Sequence, residues 1–286
     1  MRKVPARWMF FALAAGLAAC NGSTVAPSPV RPSEPPPVST PPVFQFSGSV
    51  ADTAYRPLAS ATVEILDGAQ AGTSVTTDAN GNFLLRGTFS TATTLRASKE
   101  NYLPLTQTWT PAAGPGASQV TFYLSPVAPS VAVARDYTLT LIADAACGFP
   151  DMLRTRAYGL QITPSAPSTN RPGDTLFTGV LSGGALVDVP TDFVSMAVAG
   201  DFLIVGLFGS EGGQAVERVA PDTYFAFNGG ASGSADASSA TFFSAPAKAT
   251  IDVCVQSTPP GKPSYRCEGQ LSRCLSENHR LILVKR

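Results

Sequence analysis

Ala61-Thr-Val-Glu-Ile-Leu66, then Asp78-Ala-Asn-Gly81, then Asn82-Phe-Leu-Leu-Arg86 form the stretch on which the fold turns. Val63 and Ile65 alternate with polar neighbours, the period of a half-buried strand. Asp-Ala-Asn-Gly is a turn signal, and Phe83 opens a second strand. Working outward, Phe44, Phe46 and Ser47-Gly-Ser-Val50 precede this pair. Residues 94–98, 105–109 and 119–124 follow it with the same strand character. No segment shows a helical period. About seven short strands with turns every 8–12 residues predict a β-sandwich over residues 43–126.

Composition agrees. The chain has 286 residues and is 44% hydrophobic, enough for a core in one or two domains. Only 14% of it is charged, against about a quarter in ordinary domains. The 25 Gly and 25 Pro suit short strands joined by turns.

Residues 136–286 read as a second all-β unit. Tyr137-Thr-Leu-Thr-Leu141 alternates, and Tyr158, Leu160 and Ile162 share one face. Further strands are expected at 175–180, 185–189, 192–198, 202–208, 223–227, 247–255 and 281–285. Turns are expected at 170–174, 182–184, 209–213 and in the soft tract 228–239. Residues 150–153 suit one helical turn. Such a series predicts an antiparallel β-barrel or a sandwich.

The first unit resembles the carboxypeptidase regulatory-like domain, with its seven-stranded transthyretin-like sandwich. Gly48-Ser-Val50 fits the opening strand, and Pro57-Leu-Ala-Ser-Ala-Thr-Val63 the "PLxxAxV" core. Thr77-Asp-Ala-Asn-Gly-Asn-Phe83 fits the "TDxxGxF" turn, and Leu95-Arg-Ala-Ser-Lys99 with Tyr102 the "LxASxxGY" strand. Arg56, Ser60 and Asn101 stand where Gly is common. The resemblance implies a non-catalytic accessory module and no substrate. In the second unit, Tyr137–Leu141 with Cys147 and Pro150, and Cys274-Leu-Ser-Glu-Asn-His279 with Leu281 and Leu283, resemble the two ends of lipocalin-like barrels of bacterial lipoproteins. That implies a barrel with an interior pocket.

The N-terminus carries an address. Arg2, Lys3 and Arg7 precede an uncharged run from Trp8 to Ala19, which fits a signal peptide over residues 1–19. The run falls short of the roughly 20 apolar residues that span a bilayer. Leu17-Ala-Ala-Cys20 resembles a lipobox, so Cys20 is expected to receive diacylglycerol and, on its freed amine, a further acyl chain such as palmitate. The alternative is an ordinary secretory signal. Asn21 rather than Asp implies the outer membrane, by resemblance to enterobacterial sorting. Eight of the 16 residues from Pro27 to Pro42 are proline. Residues 20–42 therefore form a lipidated Cys and a Pro-rich stalk rising about 3.1 Å per residue; a Pro-rich ligand for a partner domain is the alternative. Without Arg2, Lys3 and Arg7 the chain has 17 basic residues against 20 acidic. No basic patch invites nucleic acid.

With Cys20 acylated, Cys147, Cys254, Cys267 and Cys274 remain, an even set in an exported chain. The expected disulfides are Cys147–Cys274 and Cys254–Cys267; the rival pairing is Cys267–Cys274 with Cys147–Cys254. Zinc held by Cys267, Cys274 and His279 lacks any CxxC or HxxxH spacing. Calcium at Asp78, Asn80 and Asn82 lacks a downstream bidentate Glu. His279 is the sole histidine, and no GxSxG elbow accompanies it. It reads as a structural hydrogen-bonding residue. Asp188 and Asp192 cannot be set facing each other from sequence. The expectation is thus a non-enzyme without cofactor or metal, lipid-anchored in the cell envelope, whose partners are the membrane and an envelope protein or glycan. Two alternatives are a barrel holding a small apolar ligand near Tyr158, Phe177, Phe193, Phe202 and Phe225, and a hydrolase.

Overall fold

The computed structural model describes residues 44–286 apart from 88, 90–91, 111–117, 167–175, 210–212 and 257–267. Cys20, the expected leader and stalk (residues 1–42) and Cys267 lie outside the described residues. Pro41–Arg286 form one compact unit, and the described fold is all-β.

The first part comprises β1 (Phe44–Asp52), β2 (Thr62–Ile65), β3 (Ser74–Thr76), β4 (Asn82–Gly87), β5 (Thr93–Ser98), β6 (Leu105–Trp109) and β7 (Ser118–Leu124). They form two sheets, ordered β4-β1-β7 and β3-β2-β5-β6. All pairs are antiparallel except β1–β7, which is parallel. Alternation aims Val63, Ile65, Phe83, Leu85, Leu95, Ala97, Val120, Phe122 and Leu124 into one buried cluster. The Asp78 turn ties this sandwich together. Asp78 Oδ1 accepts from the amides of Asn80 and Asn82 at 2.9 and 2.8 Å. Gly81 has φ +74°, and a Cβ there would lie 2.5 Å from Val50 O, so only glycine fits. Thr77 Oγ1 donates to Leu58 O and accepts from Ala61 N, which joins the turn to the Pro57–Val63 motif.

The second part runs through β8 (Asp136–Ile142), α1 (Asp151–Arg154), β9 (Thr155–Pro164), β10 (Leu176–Ser182), β11 (Leu186–Asp188), β12 (Val194–Ala199), β13 (Phe202–Leu207), β14 (Ala215–Ala220), β15 (Thr223–Ser234), β16 (Thr241–Gln256) and β17 (Glu268–Lys285). Eight of these close a barrel: β8, β9, β10, β12, β13, β15, β16 and β17, with β17 returning to β8. Every neighbouring pair is antiparallel. β14 pairs with the first half of β15 and β13 with its second half, so β11 and β14 branch from the ring.

An eight-stranded barrel has an interior of a size that side chains can just fill. Tyr137, Leu139, Tyr158, Phe193, Val205, Phe225, Phe227, Phe242, Ile251 and Leu283 belong to one contiguous buried cluster. Tyr158 stacks on Phe227 with centroids 5.3 Å apart, and Phe193 meets Phe227 edge-on at 5.6 Å.

Three expectations about the strands need correction. The tract 228–239 is no simple turn, because β15 runs through Gly229 and Gly230 to Ser234. A Cβ on Gly229 would lie 2.4 Å from Lys248 O, and one on Gly230 2.9 Å from Val205 O. The glycines mark close backbone approach where β15 changes partner. β14 was not expected at all. The last strand begins at Glu268 rather than 281, and its first half pairs with β16 as far as Gln256↔Glu268.

A tight joint links the two parts. The buried Asp52 carboxylate accepts from the amides of Ala54 and Arg56 and from Arg56 Nε at 2.6 Å. The Arg56 guanidinium then lies 4.5 Å from the centroid of Phe202 on β13. Thr53 Oγ1 donates to Val198 O on β12 at 2.6 Å, and Val131 N donates to Gly200 O at 2.8 Å.

Candidate functional site

Cys147 and Cys274 form a disulfide with Cα atoms 5.6 Å apart. It joins the short 3-10 turn after β8 to β17, so the two ends of the barrel strand series are bonded together. Cys254 on β16 is also disulfide-bonded. His279 sits beside the Cys147–Cys274 bond, fully buried. Its Nδ1 accepts from the Asp144 amide at 3.0 Å, so the neutral ring carries its proton on Nε2. Among the described residues Nε2 meets no acceptor at good hydrogen-bond geometry. Burial pushes the imidazole below its ordinary pKa, against the pull of Asp144 and of the Ala249 and Cys274 carbonyls. Asp144 also accepts from Ser276 Oγ at 2.5 Å and Ala146 N at 3.0 Å.

A serine, a histidine and an aspartate therefore meet here, but in the wrong order for nucleophilic catalysis. Ser276 gives its proton to Asp144 rather than to His279, and the basic nitrogen of His279 faces a main-chain amide. The sulfurs of Cys147 and Cys274 lie within 4.8 Å of a His279 ligand atom. They are bonded to each other, and a zinc site needs thiolates. The Asp78 carboxylate is occupied by the turn amides. Asp188 ends β11, half-buried, and Asp192 is exposed before β12.

Of the residues expected around an apolar ligand, Tyr158, Phe193 and Phe225 are buried within the packed interior. Phe177 packs against it from the side, and Phe202 joins the Arg56 contact. Sequence reasoning missed a buried carboxylate here. Glu217 on β14 is 2% exposed. It accepts from Tyr158 Oη and Arg156 Nε, each at 2.8 Å, and pairs with Arg156 Nη2. Burial and the Glu217 charge push the Tyr158 phenol far above its usual pKa. The set is internally satisfied and braces β14 against β9.

The sandwich offers a more open arrangement. β6 ends one sheet and β7 ends the other. Between them is a cleft of about 310 Å³, lined by residues 107–109 of β6 and by Gln119, Val120, Thr121 and Tyr123 of β7. Gln107 Nε2 donates to Thr121 O at 3.2 Å. Tyr123 meets Tyr55 edge-on with centroids 5.3 Å apart. A second cleft, about 570 Å³, lies at the joint beside Arg56, Tyr102, Val127 and Gly200.

Residues 45–125 match the family model of the carboxypeptidase regulatory-like domain. That domain type is non-catalytic and immunoglobulin-like, and the match covers all the residues lining the β6–β7 cleft. No curated protein matches the chain.

Proposed function

We propose that the chain is a lipoprotein of the cell envelope, anchored through Cys20, whose folded part is a non-catalytic interaction module. The observation that carries this is the regulatory-like domain at 45–125, a type that accompanies other activities rather than performing one. Leu17-Ala-Ala-Cys20 and the proline tract supply a tether and a spacer. The barrel, with its large buried cluster and the Cys147–Cys274 staple, fits a rigid support. The acid–histidine cluster is spent on structural hydrogen bonds.

The test is fractionation combined with crosslinking in intact envelopes, comparing the natural chain with Cys20→Ser. The natural chain should partition with membranes and give discrete adducts. Cys20→Ser should leave the membrane fraction and lose those adducts. A natural chain that fractionates as a soluble protein, or gives no adduct, refutes the proposal.

A further inference from the structure

The cleft at the joint, about 570 Å³, sits where the connection after β7 crosses from the sandwich to the barrel. Its walls include Pro126 and Val127 of that connection and Ala199 at the end of β12. The polar side chains lining it are those of Arg56, Asn101, Tyr102 and Asp201.

These polar groups differ in what they have left to offer. Arg56 is committed, with Nε on the Asp52 carboxylate at 2.6 Å and its guanidinium 4.5 Å from the Phe202 ring centroid. Its charge is answered inside the protein. Asp201 stands exposed on the turn between β12 and β13, and its carboxylate has no hydrogen-bond or ion-pair partner among the described residues. The Tyr102 hydroxyl and the Asn101 amide likewise have none there. The unanswered charge at the cleft is therefore the negative one of Asp201. The local field agrees. Burial raises the pKa of the Tyr102 phenol, the Asp52 charge raises it further, and Arg56 opposes them more weakly. Such a field favours a cation beside the phenol over an anion.

The cleft is also set before any ligand arrives. Val127 N donates to Asn101 O at 2.9 Å and Leu103 N to Ser125 O at 2.8 Å, which fixes the connection to the sandwich. Val131 N donates to Gly200 O at 2.8 Å and Gly200 N to Ser130 Oγ at 3.1 Å, which fixes it to the barrel. Ala235 N donates to Asp201 O at 2.8 Å, so the free carboxylate stands on a held turn. Such pre-ordering lowers the entropy cost of binding. The volume lies well within the range of ligand pockets, roughly 300 to 1,000 Å³. Apolar walls beside a lone carboxylate suit an apolar stem that ends in a cation. The rim is open, since Asn101, Val127 and Asp201 are exposed. A free amine would keep one flank in water there, whereas a lysine brings the body of its own protein as the cover.

We propose that this cleft takes the lysine side chain of a partner protein, its stem against Pro126, Val127 and Ala199 and its ammonium donating to the Asp201 carboxylate and the Tyr102 hydroxyl oxygen. This rests on the reading of the folded part as an interaction module and names the chemistry of its partner.

The test titrates the full mature chain in nonionic detergent and follows the backbone-amide NMR shifts of Gly200 and Asp201. The first probe is a pentapeptide with blocked ends and a central lysine among alanines. The others are the same peptide with that lysine acetylated, the same peptide with glutamate in its place, and free butylamine. The lysine peptide should shift both amides saturably, and the acetylated and glutamate peptides should not. Asp201→Asn removes a charge that no described residue uses, so the fold stays. It should weaken the lysine peptide about tenfold, the loss of a charged hydrogen bond. Tyr102→Phe keeps the ring that packs on the sandwich core and should weaken it about threefold. The proposal is overturned if the lysine peptide does not bind at about 10 mM, a level that reveals even a millimolar Kd. It is equally overturned if the acetylated or glutamate peptide binds as well, or if Asp201→Asn binds as the natural chain does. Butylamine binding as tightly as the lysine peptide overturns it in favour of a free amine. Envelope adducts of the natural chain report separately on the anchored-module reading. Where they form and the lysine peptide does not bind, that reading stands and the lysine falls.

Discussion

Replacing Cys147 and Cys274 together with serine removes a bond between residues 127 apart in sequence. In chain-entropy terms, a loop of that length restricts the unfolded chain by about 5 kcal/mol at 25 °C. The folded state should barely change. Arg280–Lys285 of β17 still pair with Tyr137–Ile142 of β8, and Phe149 and Leu153 stay in the barrel core on packing alone. Removing native disulfides costs about 2–5 kcal/mol in practice. At roughly 2–4 °C per kcal/mol for a unit of this size, Tm should fall by about 10 °C. The assay is thermal and urea unfolding under non-reducing conditions, with far-ultraviolet circular dichroism as the check that the starting fold is the same. Each single serine variant, its spare thiol blocked, should lose as much as the double variant, because one bond needs both sulfurs. A loss below about 1 kcal/mol would refute the staple argument. Additive single losses would show that each cysteine acts through separate contacts.

Glu217→Ala should cost about 3 kcal/mol in urea unfolding. That is the lower end for a broken buried pair, since the Arg156 side chain is 24% exposed; replacing Arg156 and Glu217 together by Met and Leu should recover most of it. Gly81→Ala should cost about 2 kcal/mol or more, from its positive φ and the contact with Val50 O, read by the same unfolding curves. The His279 imidazole has a lowered pKa when folded, so the unfolded chain binds the extra proton first. Its contribution to stability is complete above the unfolded value of 6.5 and is lost as the pH falls through the folded pKa. Unfolding free energy should therefore decline below about pH 6.5, and His279→Gln should flatten that decline.

The sandwich was legible because its chemistry is local. Val63 and Ile65 alternate within one strand, Asp78 caps its own turn through Asn80 and Asn82, and Gly81 takes the positive φ of that same turn. The barrel was legible as strands and less so in detail, because its signals are long-range. Gly229 and Gly230 look like a turn until Lys248 O and Val205 O are seen crowding them from other strands. β14 hid because its inward position is Glu217, a charge whose partners Arg156 and Tyr158 lie about 60 residues away in sequence. The first half of β17 hid because most of its described side chains face solvent and carry no period of two; Leu271 and Leu275 are both exposed. The β6–β7 cleft could not be read at all, since only the sandwich brings Trp109 and Tyr123 to one place. The proposed anchoring at Cys20 rests on the sequence alone, on the order of charge, apolar run and small residues along the chain.

The most direct test of an anchored envelope module is the mass of the N-terminal peptide of protein extracted from membranes. Cleavage before Cys20, with diacylglycerol on its sulfur and a further acyl chain on its amine, is the expected result. An N-terminus at Met1, or a Cys20 peptide carrying no lipid, would contradict it.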